Sequence, residues 1–443
     1  MEQPLASPDS AVTPTSGRGQ CLVAFTSIVL ALQAALFTGS YIAPWSDTII
    51  RWNDNDGATN VIYSTNVWES VQNFAKSGAT GVLVLMIVFL FAVPTLAWLI
   101  LQPILIGILY SGYSGKSSCG TFGRSQFPAI HSFVELSWKV VAFAVFLQAI
   151  FLAGTSTTLT LGGFNVDLVT VARGGLAAFA WAILFGMLFS ALARVHYKDS
   201  VSQSATSVDE DAFVMMEDQA SDDNRCCGLP RLLKPVIVFV SGLIATVLLI
   251  PVYLLPVIQL TYDGVVADLL ESAEKESTLF QLATSIATDS LGKVFGILCA
   301  AMLWITIILL PFVALMTSLY LRLCGSWKDN ALRGSKLFHA LQLVFPFCSS
   351  AVFAISLVVA ILAMGTFTSY FFNENQVCQF LNQQADEYCF IVYGAFEPAT
   401  WGFLMQSIAT EVFAFLTLRD IENLPLSKNI VNDTEAKAKG ILS

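Results

Sequence analysis

Charge is what this sequence has least of. Only 12% of its 443 residues are Asp, Glu, Lys or Arg, against about 25% in a water-soluble protein. That shortage excludes an ordinary soluble domain. A hydrophobic content of 55% and a mean hydropathy of +0.68 say the same from the other side. The 22 basic residues are outnumbered by 32 acidic ones, giving a net charge of −10. No basic patch exists to neutralise phosphates, so nucleic-acid binding is excluded. Histidine is scarcer still, with only His131, His196 and His339, too few and too scattered to suggest a metal site. The sequence has no phosphate loop, no Gly-x-Ser-x-Gly elbow and no His-Glu-x-x-His, each of which would place a nucleophile, a nucleotide or a zinc. No catalytic residue, metal or cofactor is therefore expected, and the chain is not read as an enzyme. The first 20 residues hold only Arg18 and lack an apolar core. They do not form a cleavable signal peptide, so the first apolar stretch is expected to act as its own insertion signal.

What the sequence has instead is apolar length. Stretches of about 18 or more apolar residues are transmembrane candidates, and eight occur, near 21–43, 81–110, 132–154, 171–193, 234–258, 291–321, 338–370 and 399–418. The predicted fold class is all-α, a polytopic membrane protein of eight helices. Barrel strands would instead alternate over about 10 residues.

The eight stretches fall into two sets of four with matching punctuation. Pro44 and Pro256 close the first stretch of each set, Pro94 and Pro311 interrupt the second, and Arg194 and Arg419 end the fourth. Matched positions lie 210–225 residues apart, which predicts a duplicated unit with loops of unequal length. The expected organisation is a polar, disordered segment at 1–20, four-span units at 21–194 and 234–419, an acidic linker at 195–233 and a polar tail at 420–443. With both termini in the cytoplasm, 17 Lys and Arg fall on the cytoplasmic side and 5 on the other. That positive-inside bias predicts the orientation. Between the first and second stretches of each set lies a short amphipathic segment, with Val67, Trp68, Val71 and Phe74 at helical spacing in one and Leu279, Leu282, Ala283 and Ile286 in the other. Two readings stand: a helix lying in the membrane interface, or a re-entrant segment packed on neighbouring spans.

Polar residues inside the spans are the candidate functional residues. Glu411 lies within the last span, where an ionisable group costs about 2.5–3.5 kcal/mol on insertion scales. Gln406 is about one and a half turns away. The position matched to Glu411 in the first set is Gly186. Glu135 and Lys139 stand at i,i+4 where the third span begins, as a local ion pair or as part of a headgroup-sized cavity. Trp138 between them reads as an interfacial anchor or a ligand contact. Pro44, Pro94, Pro251, Pro256 and Pro311 free backbone groups that only protein or a wet cavity can satisfy. They are read as shaping a cavity or hinge, or as static kinks. Cys378 and Cys389 share the last external loop with ten residues between them, and are a candidate disulfide in an oxidising compartment.

The run Pro251-Val-Tyr-Leu-Leu-Pro256, of which the first half keeps only Pro44 with Gly39 at the earlier position, Gly78 with Pro94, Gly292 with Pro311, and Trp138 at the start of a third span together resemble the paraquat-inducible protein A family. The resemblance covers most of 21–420 and rests on spacing and order more than on single residues. It implies two four-span units acting in intermembrane lipid transport. Membrane lipids, and a lipid-bridging partner of the mammalian-cell-entry (MCE) type, are the implied partners. The implied location is the inner membrane of a bacterium, or the plasma membrane or an endomembrane of a eukaryote. There are departures. Zinc-ribbon Cys-x-x-Cys pairs are replaced by Cys21 and the adjacent Cys226-Cys227, and Ala142 stands near the family's acidic position after the Trp. Adjacent thiolates alone do not close a tetrahedral site, so no zinc is expected. The long acidic linker suggests a divergent, eukaryotic member. Two other classes of function are kept open: a secondary transporter of small solutes, which wants polar groups converging at mid-membrane, and a non-transporting, tetraspanin-like organiser, which needs no cavity.

Overall fold

Hydropathy sets the frame of the fold. In the computed structural model the described residues are 17–52, 59–78, 80–113, 117–161, 164–205, 233–264, 267, 270, 273–288, 293–324, 335–373 and 390–422. Eight of its helices are long and apolar enough to cross a membrane. In the first half these are α1 (Gly17–Ile42), α3 (80–113), α4 (Ser117–Thr155) and α5 (Gly174–Ala205), with the short α2 (Val67–Lys76) ahead of α3. The second half begins with α6 (Leu233–Val247) and α7 (Leu249–Leu254), which share one span. Then come the short α8 (Leu279–Thr288), α9 (293–324), α10 (Lys336–Val344), α11 (Ser350–Asn373) and α12 (Pro398–Glu422). The α6–α7 break falls at Leu248 because Pro251 has no N–H for the Val247 carbonyl. Pro128 lies inside α4, which extends earlier than hydropathy suggests.

Two small antiparallel sheets occupy the connections, where the sequence reading placed only loops. In the first half, β1 (Ser46–Trp52), β2 (Thr59–Thr65), β3 (Thr157–Leu161) and β4 (Phe164–Ala172) lie in the order β2-β1-β4-β3. In the second, β5 (Ile258–Asp263), β6 (Glu274–Ser277) and β7 (Ile391–Phe396) lie in the order β6-β5-β7. Ser46 pairs with Thr65 on one side and Ala172 on the other. Ile258 pairs with Ser277 and Phe396 in the same way. Each sheet thus ties the loop after the first span to the loop before the fourth. The joints match as well: Trp45 N–H donates to the Thr65 carbonyl at 2.7 Å, and Val257 N–H to the Ser277 carbonyl at 2.9 Å.

The halves meet through their third spans. Ser356 Oγ donates to the Phe143 carbonyl at 3.4 Å, the Phe146 and Phe353 rings lie 5.4 Å apart, and Phe151 lies 4.6 Å from Phe367. Residues 143–146 meet 353–356 and Phe151 further along meets Phe367, so α4 and α11 run parallel. The amphipathic helices lock this seam reciprocally. On α2 of the first half, Phe74 is fully buried and stacks on Phe367 of the second at 4.5 Å. Leu279, Leu282, Ala283 and Ile286 of α8 are buried beside Ala149 and Ile150 of α4. The apolar faces therefore turn to protein rather than to lipid, as in the re-entrant reading. Trp68 stays half exposed, stacked on Phe91 at 4.7 Å.

Candidate functional site

The prolines define the first local feature. Pro94 has no N–H, which leaves the Leu90 carbonyl without its helical donor. The Tyr41 hydroxyl, from α1, donates to that carbonyl. In the second half Pro311 frees the Ile307 carbonyl, and the Tyr253 hydroxyl approaches it at 3.5 Å. Both helices pass through π-helical turns beside their proline, at Val88–Ala92 and Leu96–Leu101 in α3 and at Trp304–Leu309 in α9. The freed carbonyls are thus met by protein side chains. Pro44 and Pro251 also act through their carbonyls, accepting from Gly175 N–H at 2.8 Å and Leu255 N–H at 2.9 Å. Pro256 sits outside any helix, two residues before β5.

The charged candidates converge across the seam. Glu135 and Lys139 pair at 3.7 Å on α4, and both are buried. The Lys139 ammonium also lies 3.9 Å from the centroid of the Phe345 ring, in the turn between α10 and α11. Glu411, from α12, accepts the Ala351 N–H at 3.1 Å at the start of α11, where the helix dipole favours negative charge. It feels the charges of Lys139 and Glu135, and all three act on the buried thiol of Cys348. The sequence flagged these groups on separate spans, and the fold brings Glu135, Lys139 and Glu411 to one place. Gln406 does not join them. It is buried and donates to Thr410 Oγ1 at 3.2 Å along its own helix.

Trp138 is neither an interfacial anchor nor part of that cluster. It is fully buried, and its indole N–H has no partner among the described residues. A Cβ at Gly186 would stand 2.5 Å from Trp138 Cδ2 and 2.7 Å from Gln33 Nε2. The indole therefore occupies the space that any side chain at 186 would need.

At the end of the bundle away from the sheets, charges pair between elements. Arg194 of α5 meets Glu422 of α12 at 2.9 Å, and Gln342 of α10 donates to the same carboxylate at 3.1 Å. Asp420 accepts from Arg322 at 2.8 Å and pairs with Lys234. The sequence marked Arg194 only as a span end. Its partner lies 228 residues away, so no local spacing could have revealed the pair. In the first sheet Asp47 pairs with Arg173. In the second, Tyr262 has its hydroxyl buried without a partner among the described residues. Burial pushes that phenol up to about 12.

A cavity of about 400 Å³ opens where the halves meet on another side, lined by Leu36 of α1, Ala177, Ala178 and Trp181 of α5, and Phe295 and Leu298 of α9. Its walls are apolar apart from the Trp181 indole N–H, which has no partner among the described residues, and it lies within the span-forming parts of all three helices. Among the described residues no group of three or more His, Cys, Asp or Glu could hold a metal ion. Cys378 and Cys389 lie outside the described residues, as do Cys226 and Cys227.

These spans, kinks and paired loops define a multi-pass α-helical membrane protein. The model of the family described as paraquat-inducible protein A matches residues 238–379, from the first span of the second half through its third. No curated protein and no solved structure matches the chain.

Proposed function

We propose that the protein handles membrane lipid in intermembrane lipid transport. The observation that carries this reading is the apolar cavity between the halves. Its volume falls in the range of ligand pockets, about 300–1,000 Å³. A wall whose one side-chain polar group is the Trp181 indole N–H suits an acyl chain and gives a polar solute little to replace its water. The family match supports the same reading. With both termini in the cytoplasm, the sheets face the other side, and a bridging partner of the MCE type would meet the protein there. No step in this reading makes or breaks a covalent bond.

The test is photo-crosslinking in liposomes with a phospholipid carrying a diazirine on its tail. Labelled peptides from 174–185 and 293–303, lost when Ala178→Trp fills the cavity, are the expected result. Labelling spread evenly over the outer helix faces and unchanged in the variant would remove the lipid reading and favour the organiser. A small-solute transporter draws instead on Glu135, Lys139 and Glu411, which are separate from the cavity lining.

A further inference from the structure

One set of buried groups is not used by a lipid cavity, and it has an unbalanced charge. On α4, His131, Glu135 and Lys139 follow at i, i+4 and i+8, one helix face over about 12 Å. His131 is buried, with Nε2 2.8 Å from the Ser190 carbonyl. It feels Glu135 and, at the bundle end, Arg194 and Glu422. That last pair is about one quarter exposed, with side-chain exposures of 21% and 27%. Lys139 then sits between Glu135 of its own helix and the region of Glu411 from the other half. The other groups facing Glu411 are the Cys348 thiol and the Ala351 amide. The seam thus holds two carboxyl groups and one ammonium, surrounded by Phe345 and other apolar side chains.

We propose that this seam is a proton-binding site: Glu135, paired with Lys139, and Glu411 across the seam hold one exchangeable proton between them, taken up through His131 from the bundle end that carries Arg194 and Glu422. Two carboxylates with a single counter-charge leave an unpaired negative charge in an apolar seam, a state that proton uptake removes. The proton comes from water at the bundle end, passes the imidazole and is bound by a carboxylate oxygen. No other atom changes partner. His131 is suited to relay because the nitrogen not turned to Ser190 can accept a proton. Glu135 and Glu411 come from different halves, so the proton is held between the parts that a transport cycle would move against each other. The site stands independently of the lipid reading, since it is argued from charge and position alone.

Infrared difference spectroscopy of the protein in liposomes tests the proposal. At neutral pH the wild type is expected to show a protonated-carboxyl C=O band that shifts in D2O. Glu135→Gln or Glu411→Gln should remove it, and Glu422→Gln should leave it. Lys139→Met should double it, because both carboxyl groups then need a proton. His131→Phe should keep the band but slow its exchange in D2O at least tenfold. A wild-type spectrum without the band, measured on the unmodified protein and so independent of any variant's folding, overturns the proposal. So does a band that survives in both glutamine variants.

Discussion

Tyr41 and Gly186 show how single side chains settle what the membrane leaves open. Water is absent from the bilayer core, and the Leu90 carbonyl freed by Pro94 is met by the Tyr41 hydroxyl. Tyr41→Phe should lower stability by about 1–3 kcal/mol, the cost of a buried unsatisfied acceptor. Thermal unfolding in detergent measures it. Tyr253→Phe should cost less, because its contact is a long one at 3.5 Å. Gly186→Ala should destabilise by roughly 1–3 kcal/mol through overpacking, and adding Trp138→Phe should recover part of the loss. A stable single variant would contradict the close approach of the indole. Tyr262 gives a pH test. Its phenol is raised from 10.0 to about 12 by burial, so the folded state keeps the proton while the unfolded state loses it. Stability is therefore unaffected below pH 10 and falls as pH rises from 10 to 12, by roughly 3 kcal/mol at about 1.4 kcal/mol per unit. Tyr262→Phe should flatten that alkaline slope.

At the scale of elements, α2 is the clearest case of a helix defined locally and placed globally. Asn66 caps it, accepting from Glu69 N–H at 3.0 Å, while Glu69 returns to the Asn66 N–H at 2.9 Å. Its apolar face then buries Phe74 on the other half. Asn66→Ala should cost about 1 kcal/mol. Phe74→Ala should cost about 3–5 kcal/mol and make proteolytically nicked halves separate at lower detergent concentration. The spans were legible because the membrane, not a partner, decides them: an apolar run of sufficient length has one destination. The faces of α2 and α8 were not, since a helical apolar stripe reads the same whether lipid or protein covers it. The sheets escaped notice because their strands are short and pair across long separations, as Ser46 does with Ala172. Glu411 stood out as a lone charge, but its neighbours Lys139 and Glu135 belong to a span more than 270 residues earlier, beyond any periodicity.

At the scale of the whole molecule, the ion pairs Arg194–Glu422 and Arg322–Asp420 gather three elements, α5, α9 and α12, away from the sheets. The excess of Lys and Arg assigned to that side gives an orientation to test. A cysteine at Ser200 should react with an impermeant maleimide from the cytoplasm, and one at Asp263 only from the opposite side. Reversal of that pattern would overturn the orientation.

The reciprocal packing of α2 and α8 also bears on how the chain is made. Phe74 must wait for Phe367, which follows it by 293 residues. At about 5–20 residues per second of synthesis, that delay is roughly 15–60 s. Through that interval the first half stands in the membrane with an aromatic face that has no permanent neighbour. A ribosome stalled after residue 205 should hold an assembly intermediate that membrane chaperones bind and that the completed chain releases. Truncations at this boundary should be cleared by quality control rather than accumulate as stable half-proteins.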